Sequence, residues 1–370
     1  MGQGHILVSS LVLSALALAS TGCSDASGSA WGDPIVVAEE DLETWVWVDV
    51  PGTRCSEGSP SGVLANFTDE SRDLVIYFQG GGACWSGLLC ELQKADIAPM
   101  QPDPLAQFMS DGEHAQSGIF LRDDPTNPLR ASNFIFVPYC TGDGHLGSEV
   151  ADYGSRGTIH HVGYDNVTAA LKRIVPTFQD AGRVVVAGFS AGALGATGNY
   201  HQIASAFESA GYGSPIPLIA DAGPIMRDPY FGVESQKMLR DAWALDETIE
   251  GWCPDCATLG YNEVYRRIAE LHPGMRSSIL CSYEDSVVRL LYGVLGTPIE
   301  DGRMKEGLLD LTDFRMSVAD EVAPSVAHEF YYEGDRHGAT SQVPLGETPG
   351  LAEFITAQLE GAEGWTDVRP

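Results

Sequence analysis

Lysine is almost missing from this chain: only Lys94, Lys172, Lys237 and Lys305 occur in 370 residues. With 51 acidic against 21 basic side chains the formal net charge is −30. That imbalance excludes nucleic acid as a partner and repels polyanions at long range, an effect that salt screens. It is also compatible with a saline habitat. Residues 1–22 carry no charged side chain. Their apolar run, Ile6 to Ala19, falls short of the roughly 20 residues a membrane span needs and reads as the core of a signal peptide. Also missing are a His-Glu-x-x-His motif, a dinucleotide fingerprint and any internal repeat. Neither a metal nor a cofactor is expected.

Small residues, Ser20-Thr21-Gly22, stand immediately before Cys23. This resembles a bacterial lipobox, in which Cys23 is lipidated after cleavage, although Ser20 replaces the usual Leu and His5 the usual basic n-region. The expectation is a signal peptide over 1–22, a flexible tether over 23–34 and a catalytic domain over 35–370. The expected location is outside the cytosol: periplasm, cell surface or outer membrane as a lipoprotein, otherwise secreted. The lipid anchor is the only membrane link. Eight cysteines in an exported chain suggest disulfides. Without Cys23, seven remain (Cys55, Cys84, Cys90, Cys140, Cys253, Cys256 and Cys281), enough for three bridges and one free thiol.

The most informative stretch is Val184–Gly192. A β-branched run ends in Gly188-Phe189-Ser190-Ala191-Gly192, followed by small residues able to start a helix. That is the strand-turn-helix setting of a nucleophile elbow, with Ser190 as nucleophile. The turn is too tight for side chains at Gly188 or Gly192.

Around it, strand-like and helical segments alternate. Thr44–Val50 and Gly62–Phe67 read as a hairpin. Leu74–Phe78, Phe134–Val137, Val184–Ala187, Pro217–Ala220, Ser278–Cys281 and Glu329–Tyr332 read as buried strands, and Val162–Val175, the stretch after the elbow to about Ala210, a segment from Ser286 and Gly350–Leu359 as helices. Residues 85–130 read as a loop-rich insertion and 225–275 as a helical cap. The fold class is α/β, α/β-hydrolase-like: a mostly parallel sheet with helices on both faces and a helical cap insertion. Ligands bind such sheets beyond the carboxyl ends of the strands.

A serine hydroxyl needs a base, and the base needs an acid to hold its tautomer. In this fold the chain order is Ser, acid, His. His328 opens the last strand, at the wrong end of the sheet, whereas His337 leaves the correct end and is the candidate base. Two acids compete. Asp221 ends the strand after the elbow unit, and Asp285 ends the next one. The later position is the commoner one for the acid, which favours Asp285 and leaves Asp221 to support the elbow or cap a loop. Glu284 and Asp335 are lesser candidates. Oxyanion donors are expected from the backbone of Ala191 and from Gly81, Gly82 and Ala83, in the glycine-rich loop after Phe78. No Lys-Ser/Thr follows those glycines, so they do not form a P-loop. Asp143 and His145 read as a buried hydrogen-bonded pair, and His160-His161 as packing at a helix start.

Several of these segments together resemble the pectin acetylesterase/Notum carboxylesterase family, in its bacterial branch. They are Gln79–Trp85, Asn133–Cys140, Thr141–His145, His160–Val167, the elbow and Tyr283-Glu284-Asp285-Ser286. The resemblance covers most of residues 50–340. It implies an α/β-hydrolase-like enzyme that hydrolyses carboxylic esters without a cofactor. It also implies Asp285 as the acid, a Cys55–Cys140 bridge, a local Cys84–Cys90 bridge, and Cys281 bonded to Cys253 or Cys256. Ala83 stands where the family has Trp, which opens that side of the acyl pocket, and the cap has no clear match.

The expected function is an exported serine carboxylesterase acting on a small acyl ester, such as an acetylated polysaccharide. The rival expectations are a lipid or protein deacylase with the same triad, a peptidase, and a catalytically silent surface binding protein.

Overall fold

Each buried strand is an apolar run because both of its faces are covered. In Leu74–Phe78 every residue is buried, and side chains alternate between two cores: Leu74, Ile76 and Phe78 enter one, Val75 and Tyr77 the other. The first core is closed by the helix Gly163–Thr177, through Val167, Leu171 and Ile174, and by Tyr200–Ser209, through Ile203 and Phe207. The second is closed by Leu351–Glu360, through Phe354 and Ile355, together with Phe108 and Phe120. The result is a sheet with helices on both faces, as expected for this α/β class.

The computed structural model describes residue 1 and residues 31–93, 103–110, 117–300, 302–322, 326–341 and 343–370. The expected signal segment, Cys23, most of the expected tether and part of the insertion expected at 85–130 lie outside the described residues. Residues 31–34 of that tether belong to the folded unit, which begins at Trp31. There the Gly32 amide donates to the Lys172 carbonyl at 2.9 Å, and Arg173 Nε donates to the Asp33 carbonyl at 2.8 Å.

The strands are β1 (Val46–Asp49), β2 (Gly62–Asn66), β3 (Leu74–Phe78), β4 (Asn133–Val137), β5 (Glu149–Asp152), β6 (Thr158–His161), β7 (Val184–Phe189), β8 (Leu218–Asp221), β9 (Arg276–Ser282) and β10 (Val326–Tyr332). The main sheet has the order β1-β2-β4-β3-β7-β8-β9-β10. β2 runs antiparallel to both of its neighbours, and every pair from β4 to β10 is parallel. Register aligns Phe78 with Gly188, Phe189 with Asp221, and Ser282 with Tyr332. The loops after β3, β7, β8, β9 and β10 therefore leave from one edge.

Three features of the secondary structure differ from expectation. β5 and β6 form a separate antiparallel hairpin, so His160 and His161 lie on a strand and not at a helix start. The helix after the elbow breaks at Asn199 into Ala191–Gly198 and Tyr200–Ser209. There the Asn199 side-chain amide donates to the carbonyls of His145 and Gly195. A further helix, Arg303–Glu321, packs on β10. Its Arg315 forms a buried ion pair with Glu329 at 2.5 Å.

Three disulfides join Cys55 to Cys140, Cys84 to Cys90, and Cys253 to Cys256. The last corrects the expectation that Cys281 pairs with Cys253 or Cys256. Those two are close enough to bridge each other, with Cα atoms 5.4 Å apart, whereas Cys281 is free and fully buried within β9. Burial pushes its thiol pKa well up, so it is an inert core side chain. A Cys23→Ser protein should therefore release a single thiol to Ellman's reagent, and only after denaturation. Two or more reactive thiols, or one in the native protein, would contradict this pairing.

Candidate active site

β7 ends at Phe189, and Ser190 turns the chain into the helix Ala191–Gly198 with φ +56° and ψ −123°. A non-glycine residue at positive φ costs about 1–3 kcal/mol and persists only where its surroundings over-determine it. Here the Ser190 amide donates to the Asp221 carbonyl at 2.8 Å, and the Ser190 carbonyl accepts from the Ala193 amide at 2.9 Å. The two flanking glycines permit the turn. A Cβ on Gly188 would stand 2.1 Å from the Gly192 carbonyl oxygen, and one on Gly192 would stand 2.0 Å from that of Phe78. Both obstacles are backbone and cannot swing aside.

His337 follows β10 on a loop beside the end of β9. The Ser286 amide donates to the Asp335 carbonyl at 3.2 Å, which ties the two loops together. His337 Nδ1 lies 3.0 and 2.9 Å from the two carboxylate oxygens of Asp285. Asp285 is fully buried and is also the N-cap of the helix Ser286–Val294, accepting from the amides of Val287 and Val288 at 3.0 and 2.9 Å. A carboxylate only accepts, so Nδ1–H is the donor and Nε2 is left as the basic nitrogen. The His337 ring packs on Phe189, 4.8 Å between centroids. Gly338 then turns at φ +84°, where a Cβ would strike that same phenyl ring at 2.2 Å.

The loop after β3 is held on both sides. His145 Nε2 donates to the Gln79 carbonyl at 2.9 Å. Burial lowers the pKa of this imidazole and keeps it neutral. The Cys84 amide donates to the Gly142 carbonyl at 2.8 Å, and the Cys84 carbonyl accepts from the cap's Trp243 Nε1 at 2.9 Å. Asp143 is buried and hydrogen-bonded, but not to the His145 ring. It accepts from Thr141 Oγ1 and from the amides of His145, Gly147 and Gly163. His161 lies close to Cys84 and Cys90, yet those sulfurs are joined in a disulfide and offer no thiolate to a metal.

Ser190, His337, Gly81, Gly82, Ala83 and Ala191 line one cavity of about 200 Å³. The rest of its wall is almost wholly apolar. Leu239, Trp243, Ile249, Tyr261 and Val264 come from the cap insertion, Val288 and Leu291 from the helix that Asp285 caps, and Leu295 from the C-cap of that helix. Val287, Leu290 and Val294 also line it while standing solvent-exposed, so they form its rim. Gln93 was not anticipated from sequence. Its Oε1 is buried, has no hydrogen-bond partner among the described residues, and sits against Gly82. No local motif marks it. Of the other candidates, Asp221 ends β8 beneath this edge, Glu284 pairs with Arg289 at 3.2 Å, Asp335 offers its backbone carbonyl to Ser286, and His328 bonds Asp367 away from the cavity.

Residues 42–256, more than half of the chain, match the family described as pectinacetylesterase. The chain is 26% identical over 176 residues to palmitoleoyl-protein carboxylesterase notum1' of Xenopus laevis, covering 46% of this chain and 34% of that protein. It is 26% identical over 194 residues to palmitoleoyl-protein carboxylesterase NOTUM of Homo sapiens, covering 50% and 36%. The match thus spans about a third of the length of these curated relatives. Among solved structures, the Wnt deacylase Notum from Drosophila superimposes with a TM-score of 0.61 at 17% identity, covering 87% of this chain and 95% of that one. A second crystal form gives 0.56 at 18% identity, covering 80% and 85%.

Gly192→Ala should destabilise the protein by about 1–3 kcal/mol, the usual range for over-packing a tight site, as read from its urea midpoint. An unchanged midpoint would show that the elbow is not nested against Phe78.

Proposed function

We propose that this chain, which belongs to the pectinacetylesterase family, is a serine carboxylesterase whose preferred ester carries an apolar acyl chain longer than acetyl. Ser190 Oγ attacks the ester carbonyl, and His337 Nε2 takes its proton and passes it to the leaving alcohol. Asp285 holds the imidazole tautomer and stabilises the imidazolium. The amides of Gly81, Gly82, Ala83 and Ala191 receive the oxyanion. Water, activated by the same imidazole, then releases the acid and restores Ser190.

The observation that carries the acyl preference is the cavity. A water-sized group needs only about 10–15 Å³ of such volume, whereas about 200 Å³ lies beside Ser190, walled by aliphatic and aromatic side chains. An acetyl methyl would leave most of that wall uncovered. A methylene chain would cover it, at about 0.8 kcal/mol per buried CH₂. The relatives' names, palmitoleoyl-protein carboxylesterases, support the same reading.

A second reading, deacetylation of a polysaccharide, is favoured by an open groove that shares Trp85 with the cavity and also presents Tyr153. Aromatic faces suit sugar rings, but the same walls carry Glu149, Glu234 and Asp241 against the single base Lys237, which disfavours a polyanionic sugar. Export is supported by three disulfides, which are rare in reducing compartments. Among the described residues no helix is long and apolar enough to cross a membrane.

With soluble p-nitrophenyl esters, kcat/KM should rise from acetyl to octanoyl, and Ser190→Ala should lose turnover on all of them. A profile that peaks at acetyl would favour the polysaccharide reading. Undiminished turnover in pure Ser190→Ala would end the serine mechanism.

A further inference from the structure

We infer that Asp221 is a positioning residue that holds the nucleophile and the base in register with each other; this rests on the roles given above to Ser190 and His337. Those two groups come from β7 and from the loop after β10, which β8 and β9 separate in the sheet. Asp221 is the last residue of β8, opposite Phe189. Its backbone carbonyl accepts from the Ser190 amide at 2.8 Å. Its side-chain Oδ2 accepts from the Ala339 amide at 2.8 Å, the Thr340 amide at 2.7 Å and Thr340 Oγ1 at 2.7 Å. One residue thus holds the turn that presents the hydroxyl and the chain that carries the imidazole. The left-handed turn at Gly338 aims those two amides back at β8.

The carboxylate is fully buried, and its Oδ1 has no partner among the described residues. Leaving an anionic oxygen bare in a core is expensive, which a mere loop clasp would not require, since an amide oxygen could accept the same donors. The groups that face it are Tyr77 on β3, Cys281 on β9, Tyr332 on β10 and His337. The phenols and the thiol are kept neutral by burial, which pushes their pKa values up. Burial also pushes the Asp221 carboxyl above the ordinary range of an aspartate, and its three donors and His337 offset that only in part. The carboxylate interacts electrostatically with His337, a pull that an amide would lack.

The test is steady-state kinetics on a soluble p-nitrophenyl ester, with kcat and KM read separately. Asp221→Ala should lower kcat by about a hundredfold, the scale of a small misplacement of catalytic groups, with little change in KM. Asp221→Asn keeps an oxygen for the Ala339 and Thr340 donors and should recover about tenfold of that loss, the worth of one hydrogen bond. Its KM should stay near that of the wild type. Wild-type kcat in folded Asp221→Ala, or an Asn variant no faster than the Ala variant, overturns the inference. If the Ala variant fails to fold, the kcat of the Asn variant decides alone: about a tenfold loss at unchanged KM supports the inference, and wild-type kcat overturns it. Ser190→Ala, run in parallel, separates the failures: turnover there removes the serine mechanism, whereas a dead Ser190→Ala beside indifferent Asp221 variants removes only this inference.

Discussion

The contact between Gly192 and the carbonyl of Phe78 is the constraint on which the rest of the site depends. It brings the first turn of the helix after Ser190 against the start of the glycine-rich loop, with no room for a single carbon between them. Because parallel register sets Phe78 beside Gly188, the candidate nucleophile and the candidate oxyanion donors need no long-range positioning of their own. They are one unit of two adjacent strands. The energy stored in the positive φ of Ser190 is held by backbone hydrogen bonds on either side of it, an arrangement that places strain where chemistry needs a projected hydroxyl.

The cap adds what the sheet cannot. Its Trp243 reaches down to the Cys84 carbonyl, directly after the glycine-rich loop, so the insertion that walls the apolar cavity is fastened to the loop that would hold the oxyanion. Asp285 makes a similar link on the other side, since one carboxylate bonds His337 and caps the helix whose Val288 and Leu291 line the cavity. In the proposed esterase, acyl recognition and the candidate catalytic groups therefore share parts, so a substitution in the cap need not touch Ser190 to alter turnover.

Much of this was legible in the sequence, for identifiable reasons. Buried parallel strands are continuous apolar runs, so Leu74–Phe78 and Val184–Phe189 announce themselves, and the strand ends name the loops that carry Ser190, Asp285 and His337. What sequence hid were features without a local signature. The β5–β6 hairpin has a mixed, half-exposed pattern. Asn199 interrupts a helix by a side chain bonded to a distant carbonyl. Arg303–Glu321 carries polar residues such as Thr312 and Arg315 on its buried side. The Cys253–Cys256 bridge depends on which sulfur is near, which spacing alone left open. Asp221 was visible as a rival acid, but its two-sided grip on Ser190 and Thr340 exists only once four strands are laid side by side.

The most direct test of the central claim is covalent trapping with a fluorophosphonate, followed by peptide mapping. The account predicts one phosphonylated residue, Ser190, with labelling slowed strongly in His337→Ala. Label on another residue, or equal labelling rates with and without the imidazole, would contradict it.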